Sequence, residues 1–222
     1  MCRRVALLPC HWQGIGDKAQ KGAAQIVVAT ASTDVMTLQI DDAGVGDLLH
    51  GVVIGAYRLE TSEFAYEIVD VEFFQPPKFG RKAYLEEASG IVMKIIDKMK
   101  LAENEPVLIC SSYIFEKAVR ELEEKYGKER VTVSKITGEA QRFVETAYLD
   151  EVRNLGYEPL PEREEKRARN FFDMLRWVKK DPRRFKHAKT GWPRLKRYVK
   201  PRGALRTSPG QPDRRTVSHR RH

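Results

Sequence analysis

Between residues 36 and 156 the hydrophobic period of the chain changes once. It runs in twos through three segments, then alternates between helical and strand rhythm. Thr37–Asp42 alternates, with Leu38 and Ile40 on one face, until Ala43-Gly44-Val45-Gly46 interrupts it. Gly51–Tyr57 (GVVIGAY) reads as a strand buried on both faces. Phe64–Phe74 (FAYEIVDVEFF) reads as a third strand, rich in aromatic and β-branched residues, and Pro76-Pro77 ends it. Such short separations favour an antiparallel meander. From there Lys82–Met99 carries Leu85, Ala88, Val92, Ile95, Ile96 and Met99 at a period of 3.6. Pro106–Ser111 is a short apolar strand. Glu116–Tyr126 is a charged amphipathic helix closed by Gly127, and Arg130–Ile136 is a further strand. Glu139–Leu155 is a helix turning Phe143, Val144, Ala147, Tyr148, Val152 and Leu155 inward. The order β-β-β-α-β-α-β-α demands an α/β fold whose later strands run parallel through right-handed crossovers.

Composition narrows the class. Of 222 residues, 41% are apolar and 32% charged, as in a soluble globular protein, and no apolar run approaches the ~18 residues of a membrane span. Three scattered cysteines, Cys2, Cys10 and Cys110, make no disulfide framework and no CxxC pair, which points to a reducing, cytoplasmic setting. Charge is more telling. From Pro161 onward 21 Lys+Arg face 6 Asp+Glu, a balance of +15, whereas the first 160 residues come to −6. An acidic body with a basic final third suits a polyanionic partner such as DNA or RNA, and a solvated tail without a partner is the plain alternative. Residues 1–35 are poorly patterned. Their apolar piece, Val5–Leu8, is too short for a signal peptide, and Met36, directly before the first strand, is expected as the natural start.

The element order over residues 36–156 resembles the ribonuclease H-like superfamily. Locally, Gln39-Ile40-Asp41-Asp42-Ala43-Gly44-Val45-Gly46 followed by Gly51–Tyr57 is similar to the first two strands of type 2 ribonuclease H, whose pattern is Asp-Glu-Ala-Gly-Arg-Gly and then a glycine-rich apolar strand. Val45 stands where that family has a basic residue, and its Asp-Ser-Lys stretch is not evident here. The resemblance implies a mixed five-stranded sheet over residues 36–160, and the charge balance adds a basic helical extension over 161–200 after it. It makes Asp41 the first catalytic metal ligand and Asp42 the counterpart of the adjacent Glu. It also implies acids from other elements. Glu86 and Glu87 open the first helix, with Glu87 preferred, and Glu139 and Glu145 lie on the last one. The fourth strand ends in Cys110-Ser111-Ser112, without a carboxylate. The metal set expected from the resemblance is therefore Asp41, Glu87 and Glu139, with Glu145 as the alternative to Glu139.

The chemistry has its own logic. Hydrolysing a phosphodiester requires neutralising developing negative charge and activating water, and two Mg²⁺ or Mn²⁺ ions held by carboxylates do both. Adjacent Asp41 and Asp42 point to opposite faces of a regular strand, so one faces a site and the other turns away unless the strand bulges. Each acid also has a simpler explanation. Asp42 can cap its own turn, and Glu86, Glu87 and Glu139 suit the positive ends of helix dipoles.

In the basic third, Glu162–Lys180 reads as a helix whose stripe Ala168, Phe171, Phe172, Leu175 and Val178 docks on the core. Asp181-Pro182 stops it. Then Arg183, Arg184, Lys186, Lys189, Arg194, Lys196 and Arg197 interleave with Phe185, Trp192 and Tyr198. Cations contact phosphates and aromatics stack on unpaired bases, so this segment is the expected nucleic-acid-binding arm; Trp192 and Tyr198 serve equally well as anchors of a small core. Pro201–His222 is expected to be disordered. A metal-dependent nuclease of DNA or RNA is the first expectation. A non-catalytic nucleic-acid or ribonucleoprotein binding protein is the second. The Asp-x-Gly turn of actin-like ATPases and sugar kinases, matched by Asp42-Ala43-Gly44, is the third, although those proteins need two such domains.

Overall fold

The computed structural model describes residues 36–163 and 165–199; the 1–35 leader and the 201–222 tail lie outside these. Strands β1 (Leu38–Ala43), β2 (Val52–Arg58), β3 (Glu63–Val69), β4 (Val107–Cys110) and β5 (Val131–Ser134) form one sheet in the order β3-β2-β1-β4-β5. β1–β2 and β2–β3 are antiparallel; β1–β4 and β4–β5 are parallel. This is the mixed five-stranded α/β sheet expected from the element order, and the carboxyl end of central β1 meets that of β4.

Helices α1 (Ala83–Met99) and α2 (Glu116–Tyr126) cover one face of the sheet. Leu38 and Ile40 of β1, Ile54 of β2, Val107 and Ile109 of β4 and the stripe Ala88, Val92, Ile95 and Ile96 of α1 bury one another there. Helix α3 (Glu139–Asn154) covers the other face through Val144, Ala147, Tyr148 and Val152, and α4 (Arg167–Lys180) packs beside it. Every residue of β2 is buried, Val52–Tyr57 as an unbroken apolar run and Arg58 through its pairing with buried Glu105. Gly55 on β2 leaves room for side chains of α3 and β3, since a Cβ there would sit 2.6 Å from Val144 and 2.9 Å from Phe64.

Two expectations shift. The third strand stops at Val69 instead of continuing to Phe74. The Asp70 carboxylate accepts the Glu72 amide at 2.8 Å and starts a 3₁₀ turn over Val71–Phe74, which sends Phe74 into the core. The last helix starts at Arg167, not Glu162, and its buried face is Asn170, Met174, Leu175 and Val178. Ala168 is exposed and Phe172 is 45% exposed, so the inward stripe is narrower than expected. The C-terminal segment is then sewn onto the body. Ala188 bridges Leu49, the His50 amide donates to His187 O at 2.8 Å, and the Gly191 amide donates to Phe74 O at 2.9 Å. Among the described residues no helix is long and apolar enough to cross a membrane.

Candidate metal and phosphate cleft

The turn after β1 lies over the end of the sheet. Gly44 adopts φ +88°, and a Cβ there would fall 2.2 Å from the Tyr148 ring, so the turn requires glycine both for its dihedral and for the close approach of α3. Tyr148 Oη in turn donates to Leu49 O at 3.1 Å. This packing opens a cleft of about 340 Å³ along Asp41–Asp47, with Cys110, Ser112, Lys135, Gln141, Glu145, Arg163 and Arg167 on its other walls.

Strand alternation divides the two acids as the sequence implies. Asp42 shares the face of Leu38 and Ile40, whereas Asp41 shares that of Ala43 and is only 5% exposed. One carboxylate oxygen from each nevertheless lies within 4.8 Å of the other and of Cys110 Sγ. Burial pushes the Asp42 carboxyl up to about 6. Neighbouring Asp41 adds to this, while a Ser112 hydrogen bond and the Lys189 ammonium pull the other way. Burial pushes the Cys110 thiol up to about 12, assisted by its hydrogen bond to Asp41 and by the field of both acids, so it is a neutral donor.

The remaining acids are distributed unevenly. Glu145 faces the cleft but is paired with Arg163, which also reaches Asp47 at 2.7 Å and lies over the Tyr148 ring at 5.2 Å. Asp47 takes a further hydrogen bond from Asn170 at 2.8 Å. Glu139 stands outside the cleft lining, bound to Tyr57 Oη at 2.8 Å and to Arg142 at 2.8 Å. Glu87 is half-buried on α1 and Glu86 pairs with Lys117; neither lines the cleft. The structure thus brings together Asp41, Asp42 and Glu145 and sets Glu87 and Glu139 apart from them. Cys110, Lys135, Arg163 and Arg167 are cleft residues that sequence reasoning did not single out as such. Cys110 was visible only as the missing acid of the fourth strand.

The basic segment is partly exposed and partly interior. Arg194, Lys196 and Arg197 are exposed; Arg183 is exposed, and its amide and guanidinium donate to the Asp181 carboxylate, which caps the turn. Lys186 is exposed, and Arg184 lies over the Trp177 ring at 4.1 Å. Trp192 is half-buried and stacks on Phe171, in keeping with the anchor alternative. Phe172 and Tyr198, in edge contact at 5.3 Å, present the exposed aromatic surface. Lys189 differs most from a surface cation. It is 0% exposed, and its ammonium donates to Gly44 O. Burial lowers it to about 7, offset in part by Asp47 and Asp42. An ammonium so enclosed is withheld from phosphates in solvent.

No protein-family model matches the chain, and no curated protein matches it. Two solved structures are similar at 15% identity, a point mutant of Bst-RNase HIII and Bst-RNase HIII in complex with Mn²⁺. Their TM-scores are 0.44 and 0.43, and each alignment covers 73% of this chain and 68% of the other.

Proposed function

We propose that the cleft binds a divalent cation and a phosphodiester, and that the protein is a metal-dependent nuclease. The observation that carries this reading is the pairing of Asp41 and Asp42 oxygens within 4.8 Å at the end of the central strand, inside a cleft whose other walls supply Lys135, Arg163 and Arg167. Carboxylates 41 and 42 fit a hard ion such as Mg²⁺ or Mn²⁺, which needs only one or two protein carboxylates when water and phosphate complete its shell. The neutral, soft Cys110 does not fit Mg²⁺. A second ion would call on Glu145, which must first leave Arg163; Glu87 and Glu139 would have to be carried in from outside the cleft. When bound, a divalent ion polarises the phosphate and makes bound water a nucleophile at neutral pH.

In this reading the chain's own groups divide the work. Asp41 and Asp42 hold the ion. Lys135 and Arg167 receive the phosphate oxygens, and Arg163 can exchange Glu145 for phosphate, a bidentate partner that suits its geometry. The basic segment over 183–197 lays nucleic acid toward the cleft through Arg183, Arg184, Lys186, Arg194, Lys196 and Arg197. Phe172 and Tyr198, more than the half-buried Trp192, offer stacking faces. Lys189 takes a different part, described below.

A specific observation favours a second reading. With Cys110 protonated and Glu145 and Asp47 both paired to Arg163, two of the cleft's acids serve an arginine instead of a metal ion, which suits a nucleic-acid or ribonucleoprotein binding protein that has lost cleavage. One panel separates the two. Labelled single- and double-stranded DNA, RNA and the hybrid are incubated with Mg²⁺ or Mn²⁺, with EDTA and Asp41→Asn as controls. Cleavage abolished by both controls establishes the nuclease. Retention that weakens with salt, without cleavage, establishes the binding protein.

A further inference from the structure

Burying a lysine ammonium carries a large desolvation cost unless the surroundings repay it. Lys189 is fully buried, and its surroundings identify what repays it. The ammonium donates to Gly44 O, lies 4.9 Å from the Phe74 ring and 5.8 Å from the Trp192 ring, and sits in the field of Asp42 and Asp47. Its own backbone is fixed as well. The Lys189 amide donates to Leu48 O at 2.9 Å, and Gln75 Nε2 donates to Ala188 O at 2.9 Å and Lys186 O at 3.1 Å. Gly191 has no room for a side chain, since a Cβ would meet Phe79 at 2.5 Å and Phe74 O at 2.7 Å. The segment from Lys186 to Gly191 is therefore held on two sides, by the loop after β1 and by the turn after β3.

We infer that Lys189 is a positioning residue for the cation site: its buried ammonium pins the Gly44 peptide from one side while Tyr148 packs it from the other, and so sets where Asp42 and Asp47 stand. The inference rests on reading the cleft as a divalent-cation site. Gly44 has no side chain with which to hold its own φ of +88°, so the turn depends on what grips its carbonyl and what packs its Cα. Groups that orient metal ligands from behind typically change metal affinity 10–100-fold when removed. Charge alone predicts the opposite sign. A buried cation near the carboxylates repels a metal ion, and its removal by itself would tighten binding. The direction of the change therefore separates positioning from electrostatics.

The test is Lys189→Met, which keeps length and volume, removes the ammonium and places a thioether against Phe74 and Trp192. Replacing a buried charge by a packed apolar group is often neutral or stabilising, so stability is expected to hold. Two quantities are read on the full chain at one temperature: Mn²⁺ affinity by calorimetry, and amide exchange over residues 43–49. The expected result is Mn²⁺ affinity weaker by about 10–100-fold with faster exchange in that turn, at unchanged global stability. A lysine that only holds the fold together would lower stability and leave affinity unmoved, which overturns the inference. Unchanged or tighter Mn²⁺ binding overturns it too. Absence of Mn²⁺ binding in the wild type refutes the reading of the cleft itself, whereas binding that Lys189→Met leaves intact refutes only the role of Lys189. If the Met variant does not fold, Lys189→Gln, with a donor and no charge, carries the same comparison.

Discussion

Asp42→Asn is the sharpest probe of the electrostatics at the end of β1. Asp42 titrates at about 6 in the folded protein against 3.8 for an unperturbed carboxyl, mainly because burial penalises its charged form. A raised carboxyl favours the protonated folded state. Its contribution to stability is complete below pH 3.8 and is lost as pH rises through 6. The difference of roughly two units corresponds to about 3 kcal/mol at 1.36 kcal/mol per unit. Asn imitates the neutral acid and keeps a partner for the Ser112 hydroxyl. In EDTA the variant should therefore gain about 1 kcal/mol over wild type at pH 4.5 and about 3 kcal/mol at pH 7.5, by urea unfolding. Mn²⁺ should reverse the ranking at pH 7.5, because it stabilises the wild type through the charge that Asn lacks. A gain that does not grow with pH, or a loss at pH 7.5 in EDTA, would refute the assignment of the strain to Asp42.

Three further outcomes follow from the same geometry. Gly44→Ala should cost more than about 2 kcal/mol by urea unfolding and abolish Mn²⁺ binding, because its Cβ would overlap the Tyr148 ring in a backbone conformation that alanine resists. Cys110→Asp restores a third carboxylate beside Asp41 and Asp42, so calorimetry should show Mn²⁺ affinity about tenfold tighter or more, while stability in EDTA falls from the added repulsion. Lys196→Ala combined with Arg197→Ala should weaken nucleic-acid retention uniformly across sequences. It should lower the slope of log affinity on log salt by about 0.7 per lost contact for single strands.

Much of the architecture is legible because one rule governs it. Period-2 and period-3.6 patterns mark the strands and helices, and alternation alone places Leu38 and Ile40 on one face of β1 and Asp41 on the other. The misjudged ends depend on single side chains. Asp70 looks like one more residue of a strand until its carboxylate is seen capping a 3₁₀ turn. Glu162 looks like a helix start, yet Arg163 turns away to pair with Asp47 and Glu145. The cleft is legible only in part. Asp41 and Asp42 are unusual within a strand and declare themselves. Arg163 and Lys189, 116 and 145 residues away from Asp47 and Gly44, look like their surface neighbours in a basic run. Nothing local distinguishes a lysine bound for the interior from one bound for solvent; the difference lies in the space that Phe74, Trp192 and the glycine turn leave for it.

The pairing of Lys189 with Gly44 also sets a schedule for synthesis and folding. The sheet and its first three helices are complete by Asn154. The glycine turn is finished by a segment some 145 residues downstream, so it must remain open through most of the chain's emergence from the ribosome. For that interval the nascent chain has a finished body and an unfinished cleft. Whatever the cleft binds, it can bind only after that last docking step.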